Sequence, residues 1–281
     1  MHNMPKKYYA LFTLPTIIAF AIAFLIPFLF GIYLSFTNFR TVTDTTWVGF
    51  SNYIRAFTGD KNFVNALWFT VQFAIVSLIL INLVAFTLAL LLTGGVKGTN
   101  FFRTIFFMPN LIGGIVLGYI WQLIINGILL NFGVDLTYSA TYGFWGLIVL
   151  MNWQQAGYMM VIYIAAIQSI PTEMVEAAKI DGANGWQIIK NITIPMVMPA
   201  ITICTFLTLT NSFKLFDQNL ALTAGAPARE SAMLALDIYT TFYGRVGYEG
   251  VGQAKAVVFS LIVAIIVILQ MRLTRTREVE R

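Results

Sequence analysis

Long apolar runs separated by short polar or glycine-rich breaks set the pattern of this chain. The runs lie at about residues 11–36, 63–93, 104–126, 143–170, 195–212 and 254–273. Each reaches the roughly 17–25 residues that a helix needs to cross a bilayer core. The pattern therefore predicts an all-α integral membrane protein with six spanning helices. The first run is too long for a signal peptide, whose apolar core is about 7–15 residues. It carries Pro15 and Pro27 and is read as the first span. The third run contains Pro109, Gly113, Gly114 and Gly118. Proline inside a span is tolerated where protein surrounds it, and small residues let helices approach closely.

The breaks differ in character. Residues 38–62 are polar and mixed, with an aromatic string from Trp47 to Tyr53 suited to the membrane interface. Gly94-Gly95-Val96-Lys97-Gly98 reads as a turn, and residues 127–142 hold Asp135 but no Lys or Arg. Residues 213–255 form a long segment with a turn at Gly225-Ala226-Pro227, a helix expected over 230–243, and a glycine-rich stretch over 244–252. Three regions follow: residues 1–62 with the first span and first outer loop, residues 63–273 as the main membrane body, and residues 274–281 as a tail.

The break at residues 171–194 is the most structured. Pro171 suits a first helical position, and Glu173 complements the positive helix end. Ala177 and Ala178 are small enough for a partner surface to approach closely. Asp181-Gly182 reads as a stop and turn. Asn184 with Gln187 three residues on has capping-box spacing for a second short helix, and Trp186, Ile189 and Ile192 recur on one face of it.

Composition agrees with the membrane reading: 58% of residues are hydrophobic and 10% charged, against about 25% charged in a soluble domain. The net charge of +5 comes from Lys and Arg at the ends and in short loops, among them Lys6, Lys7, Lys97, Arg103, Lys179, Lys190, Arg272 and Arg277. By the positive-inside rule these place both termini and the 171–194 loop in the cytoplasm. They speak to topology, not to nucleic-acid binding. Cys204 is the single cysteine and His2 the single histidine, so an intrachain disulfide is excluded and a dedicated metal site is not expected. No G-x-x-x-x-G-K-[ST] pattern occurs, so no ATP site of its own and no directly bound cofactor are expected. No nucleophile–base pair suggests an enzyme.

Polar groups inside a bilayer are costly and often functional. Here they are Gln154, Gln155 and Tyr158 in the fourth run, and Asn211, Ser212, Lys214, Asp217 and Gln218 at the end of the fifth. Amides, hydroxyls and an aromatic face suit a neutral sugar. The same residues also suit a structural use: Asn211 and Gln155 as interhelical hydrogen-bond partners, and Lys214 with Asp217 as a local ion pair.

Glu176-Ala177-Ala178, Asp181-Gly182-Ala183 and Ile194-Pro195 together closely resemble the "EAA" loop of ABC-importer permeases. Phe101–Pro109, Gly118–Trp121, Leu222–Pro227 and Trp47–Tyr53 are similar to stretches of the sugar and glycerol-phosphate permeases. The resemblance implies a type-I ABC importer transmembrane domain in a bacterial-type cell membrane. It implies that Glu173, Glu176, Ala177, Ala178, Asp181, Gly182 and Ala183 belong to a helix that docks on an ATPase. It also implies the partners: a second homologous permease, two cytoplasmic ATPase subunits that carry ATP and Mg, an extracellular solute-binding protein, and a carbohydrate substrate. Tyr158, Asn211 and Ser212 correspond by this resemblance to positions near bound sugar. Two alternatives stand beside it. One is an importer of the same fold for a non-sugar solute. The other is a self-contained secondary transporter, which usually shows a repeat and intramembrane acids.

Overall fold

The computed structural model describes residues 6–41 and 43–275, and side-chain surroundings between residues 12 and 272. Most of the expected tail, together with His2, lies outside the described residues. The side chains of Lys6 and Lys7 are likewise outside them.

The helices are α1 (Lys6–Phe20) and α2 (Ile26–Ser35), joined by a π-helical turn at Ala21–Leu25, then α3 (Ser51–Thr58), α4 (Lys61–Thr93), α5 (Thr99–Phe107), α6 (Gly114–Leu129) and α7 (Ala140–Gln168). Next come α8 (Thr172–Ile180), α9 (Gly185–Ile188), α10 (Ile194–Met196), α11 (Met198–Phe213), α12 (Asp217–Leu222), α13 (Leu234–Gly244) and α14 (Glu249–Arg275). Five helices among the described residues are long and apolar enough to cross a membrane. The pair Gly185–Met196 and Met198–Phe213, bent by 70°, makes a sixth span if counted as one. The expectation of an all-helical chain needs one amendment. Strands β1 (Thr37–Thr41) and β2 (Asp44–Trp47) form an antiparallel hairpin, with Thr37 opposite Trp47. Threonines, Phe39 and Trp47 suit a pleated surface, and the hairpin lies outside the apolar runs.

The chain divides into two compact units, residues 1–63 with 238–261 and residues 64–237 with 262–281. In the second unit α7 is the central helix. In its most apolar window 67% of residues are buried, against 6% for the span Phe12–Ser35. Met151, Met159, Met160 and Tyr163 of α7 pack with Phe73, Ile81 and Ala85 of α4 and with Cys204 of α11. Cys204 is buried, as its apolar setting predicts. The third run is not one continuous helix. Met108–Leu111 is a 3-10 turn, with Pro109 buried and Ile112 extended, and it separates α5 from α6. Three of the glycines explain how the pieces pack. A Cβ at Gly157 of α7 would collide with the Phe106 carbonyl of α5, so the two backbones touch there. Cβ atoms at Gly114 and Gly118 would come within 2.7 Å of Asp217 and Ala221, so α12 lies directly against α6. Gly113 has open space around it and serves no such contact.

In the first unit a buried ion cluster holds three segments together. Asp60 Oδ2 accepts from Lys255 Nζ at 3.0 Å and from Arg245 at 2.9 Å. Asp60 is 4% and Lys255 0% exposed. Lys255 Nζ also donates to Thr241 Oγ1 at 2.8 Å and lies 5.1 Å from the Phe63 ring centre. The glycine-rich stretch expected at 244–252 is only partly a loop, because Gly250 and Gly252 are inside α14. Added Cβ atoms there would meet Thr37 and Asn52, and Phe242, so glycine permits close packing in a helix. The helix expected over 230–243 begins four residues late, at Leu234.

Candidate functional site

Two groups of residues in the second unit carry the candidate chemistry. The first is the segment after α7. Pro171 has an extended ψ of 129° and is the N-cap of α8, not its first helical residue. Glu173 lies in the first turn of α8 and Lys179 in the last, each at the helix end that favours its charge. The helix stops where Asp181 N donates to Ala177 O at 2.9 Å and Ala183 N to Ala178 O at 2.9 Å. Gly182 sits between with φ +81°, a conformation that costs glycine nothing. Asn184 then caps α9 reciprocally: Gln187 N donates to Asn184 Oδ1 at 2.9 Å, and Asn184 N to Gln187 Oε1 at 2.7 Å. The capping box is the one the spacing predicts.

Glu173, Glu176, Ala177, Asp181 and Gly182 are exposed, and Ala178 and Ala183 half-buried. The same segment exposes Met174, Trp186 at 68% and Ile180 at 86%. Exposed apolar side chains beside exposed carboxylates make a surface able to bury itself on another protein. Sequence reasoning passed over Ile180, whose signal is an apolar residue placed just before the Asp181-Gly182 stop. It also grouped Trp186 with Ile189 and Ile192 on one face. The structure separates them, because the helix widens to a π-turn over Ile189–Thr193. That turn leaves Ile189 and Ile192 half-buried and Trp186 exposed. Behind the segment is a groove of about 560 Å³ lined by Leu90, Thr93, Ile167, Val175, Lys179 and Ile188, among others.

The second group is a row of amides. Gln154 and Gln155 are both buried on α7. Gln154 Oε1 accepts from Gln218 Nε2 of α12 at 2.9 Å, and Gln154 Nε2 donates to Ile112 O at 3.3 Å. The break at Pro109 takes that carbonyl out of the helix ladder, and Gln154 supplies the donor that the hydrocarbon lacks. Asn211 Nδ2 of α11 donates to Gln155 Oε1 at 3.4 Å, as the interhelical alternative expects. Tyr158 lies one turn along α7, half-buried, 6.2 Å between ring centres from Phe107. Ser212 is buried, and among the described residues its Oγ has no hydrogen-bond partner. Lys214 and Asp217 are exposed, and among the described residues no ion pair joins them. The physical reason is the interruption of the helix between α11 and α12 at residues 214–216, which removes the helical three-residue spacing. Gln154, Gln155, Asn211 and Gln218 thus come together, while Lys214 and Asp217 sit at the margin.

Asn219 is a residue that sequence reasoning missed. It is buried, donates to Ser231 O at 2.9 Å and accepts from Met233 N at 2.8 Å. Ser231 Oγ in turn donates to Thr223 Oγ1 at 3.0 Å. These bonds hold the loop around Gly225, where Ala224, Ala228 and Arg229 all have positive φ.

A sequence profile of the family described as "Binding-protein-dependent transport system inner membrane component" matches residues 86–278. The probable starch degradation products transport system permease protein AmyD of Thermoanaerobacterium thermosulfurigenes is 45% identical over 97% of this chain and 96% of its own length. The multiple sugar-binding transport system permease protein MsmF of Streptococcus mutans is 28% identical over 95% of each chain. Among solved structures, a bacterial ABC transporter involved in the import of the acidic polysaccharide alginate contains a chain that superposes with a TM-score of 0.80. The identity is 23%, and 96% of each chain is covered. The type-I importer fold that the resemblance implies is therefore the fold of this chain.

Proposed function

The chain belongs to the family of binding-protein-dependent transport system inner membrane components, and we propose that it is a pathway-forming permease subunit of an ATP-driven importer of oligosaccharides. The names of the AmyD and MsmF relatives support the substrate class. The observation that carries the coupling half of the reading is the segment at 171–194. Its two short helices are locked to each other by a left-handed glycine and a reciprocal cap, and they expose Ile180 and Trp186. A rigid exposed element transmits a displacement, whereas a flexible loop absorbs it.

In this reading two permeases enclose the pathway, two cytoplasmic ATPases bind ATP and Mg, and an outer binding protein delivers the sugar. Both termini are cytoplasmic. Residues 171–194 dock on one ATPase, with Glu173, Glu176, Asp181, Ile180 and Trp186 at the contact and Ala177, Ala178, Gly182 and Ala183 permitting close approach. Closure of the ATPase dimer then reorients the spans. Gln154, Gln155, Tyr158, Asn211 and Ser212 border the pathway, where amide and hydroxyl groups exchange their mutual hydrogen bonds for those of sugar hydroxyls. Lys214 and Asp217 stand at its margin.

The test is affinity purification of the tagged subunit from membranes, with ATPase activity and uptake of labelled starch-derived oligosaccharide measured on the reconstituted eluate. Gly182→Pro forces φ near −65° where the turn needs +81°. The expected result is co-purification of a second permease and an ATPase, with stimulated hydrolysis and uptake both reduced at least tenfold by the substitution. A subunit that elutes alone and transports by itself overturns the reading. An unchanged Gly182→Pro complex removes the coupling role from this segment.

A further inference from the structure

The first unit carries an apolar surface that the transport reading leaves unused. Helix α3 has three faces. Asn52 and Ala56 are buried. Ser51, Arg55 and Thr58 are exposed and polar or charged. Phe50 at its N-cap, Ile54 and Phe57, spaced four and three apart, are 68%, 61% and 46% exposed. Helical spacing puts those three on one stripe.

Both ends of the helix are pinned close to membrane spans. Its start follows the hairpin, whose pairing returns Trp47 to a position opposite Thr37, two residues beyond the end of the span Phe12–Ser35. Val48 N donates to Phe36 O at 2.9 Å. Asn52 Nδ2 ties the first turn to the same place, donating to Ser35 O at 2.9 Å and Thr37 O at 2.8 Å. Its last residue, Thr58, is three residues before Lys61, where the next span opens, a reach of no more than ~10 Å. A helix of 8 residues is thus tied at its start to the end of one span and followed within three residues by the next. The ring surface is also continuous with the first span. Phe30, Tyr33, Trp47, Phe36 and Phe50 follow one another at centroid separations of 5.3–6.1 Å. Phe30 and Tyr33 are themselves on the exposed face of the span.

We propose that α3 is a membrane-surface anchor: Phe50, Ile54 and Phe57, with Trp47, insert into the headgroup and upper acyl region of the outer leaflet. Amphipathic helices with Phe and Trp on one face bind at that depth, and Trp is favoured there because one end of its ring is apolar and the other polar. The asymmetry of α3 fits. Arg55 turns away from the apolar stripe and lies 4.6 Å over the Tyr248 ring. The anchor rests on the proposed topology for the side on which the hairpin lies, and it does not depend on which solute is carried.

The experiment uses the assembled transporter in nanodiscs of phosphatidylethanolamine and phosphatidylglycerol, in a Cys204→Ala background. Nitroxide labels are placed through Ile54→Cys and Phe57→Cys on the stripe, and through Ser51→Cys and Thr58→Cys on the polar face. Retained transport confirms that each variant assembles. Power saturation with oxygen and a water-soluble nickel chelate reads the surroundings. The proposal expects oxygen to dominate at positions 54 and 57 and nickel at 51 and 58. Nickel access at all four places the stripe in water and overturns it. Exclusion of both reagents at 54 and 57 means that a protein partner covers the stripe, and also overturns it. A label-free measurement covers the case in which labelled variants do not assemble. The difference in tryptophan emission between the wild type and Trp47→Phe should be quenched more by lipids brominated near the headgroup than by lipids brominated at the chain end. Equal or absent quenching counts against the anchor.

Discussion

Replacing Asp60 with asparagine removes a carboxylate that pairs with both Lys255 and Arg245. The variant keeps the size of the side chain and an oxygen for the Asn62 N–H, which Asp60 Oδ1 accepts at 3.1 Å. What it loses is a negative charge 3.0 Å from the ammonium of a lysine that is 0% exposed. Breaking a buried pair by removing one partner costs about 3–5 kcal/mol, because the remaining charge stays buried without that partner. Arg245 is a third exposed, so it is screened by solvent and its own loss belongs with surface pairs, at about 0–1 kcal/mol. The expected order is therefore Asp60→Asn well above Arg245→Ala. The double variant Asp60→Asn/Lys255→Met should recover part of the loss, because it removes the buried lysine charge together with the carboxylate that faces it. At about 2–4 °C per kcal/mol for a chain of this size, Asp60→Asn should lower the melting temperature in lipid by at least ~6 °C. Scanning fluorimetry of the reconstituted protein at one fixed scan rate measures this. Acid titration tests the same cluster. Burial pushes the Asp60 carboxyl up, but the Lys255 hydrogen bond and the charges of Lys255 and Arg245 outweigh it and hold the group below its usual value. A lowered folded-state pKa stabilises the fold above the unfolded value of ~4 and loses that contribution as pH falls through the still lower folded value. Wild-type stability should hold from neutral pH to about 5 and fall below about 4, and Asp60→Asn should lack that part of the decline. Equal losses for Asp60→Asn and Arg245→Ala, or a double variant worse than the sum, would refute the reasoning.

Two further substitutions address the second unit. Gly157→Ala should prevent α5 from seating on α7, since the new methyl group occupies the place of the Phe106 carbonyl; Gly113→Ala, with open space around it, should be tolerated, and size-exclusion profiles of the two variants compare them directly. A double-mutant cycle on Gln154→Leu and Gln218→Leu should give a coupling near ~0.6 kcal/mol, the average for interhelical hydrogen bonds in membranes. If these amides also border the pathway, uptake assays on the same variants should show a raised KM with maximal ATPase activity retained.

Much of this protein was determined by its sequence alone. Six apolar runs of membrane-spanning length declare a helical membrane protein, because the hydrocarbon layer leaves the backbone few ways to satisfy its polar groups. The Asp181-Gly182 stop and the Asn184–Gln187 cap are local interactions, written in residues within a few positions of one another, and so they are legible without the fold. The tertiary structure decided what depends on distant partners. The 70° bend before Met198 is seen only in the fold, and the hydrogen bond that Gln154 gives to Ile112 across the break after Pro109 depends on α6 and α7 coming together. The spacing that suggested a Lys214–Asp217 pair failed because the helix ends between them. The Asp60–Lys255 pair spans 195 positions. Each residue by itself reads as an ordinary charge at the end of an apolar run. Only the fold brings Asp60 and Lys255 together, excludes water from between them and lets each charge offset the cost of burying the other.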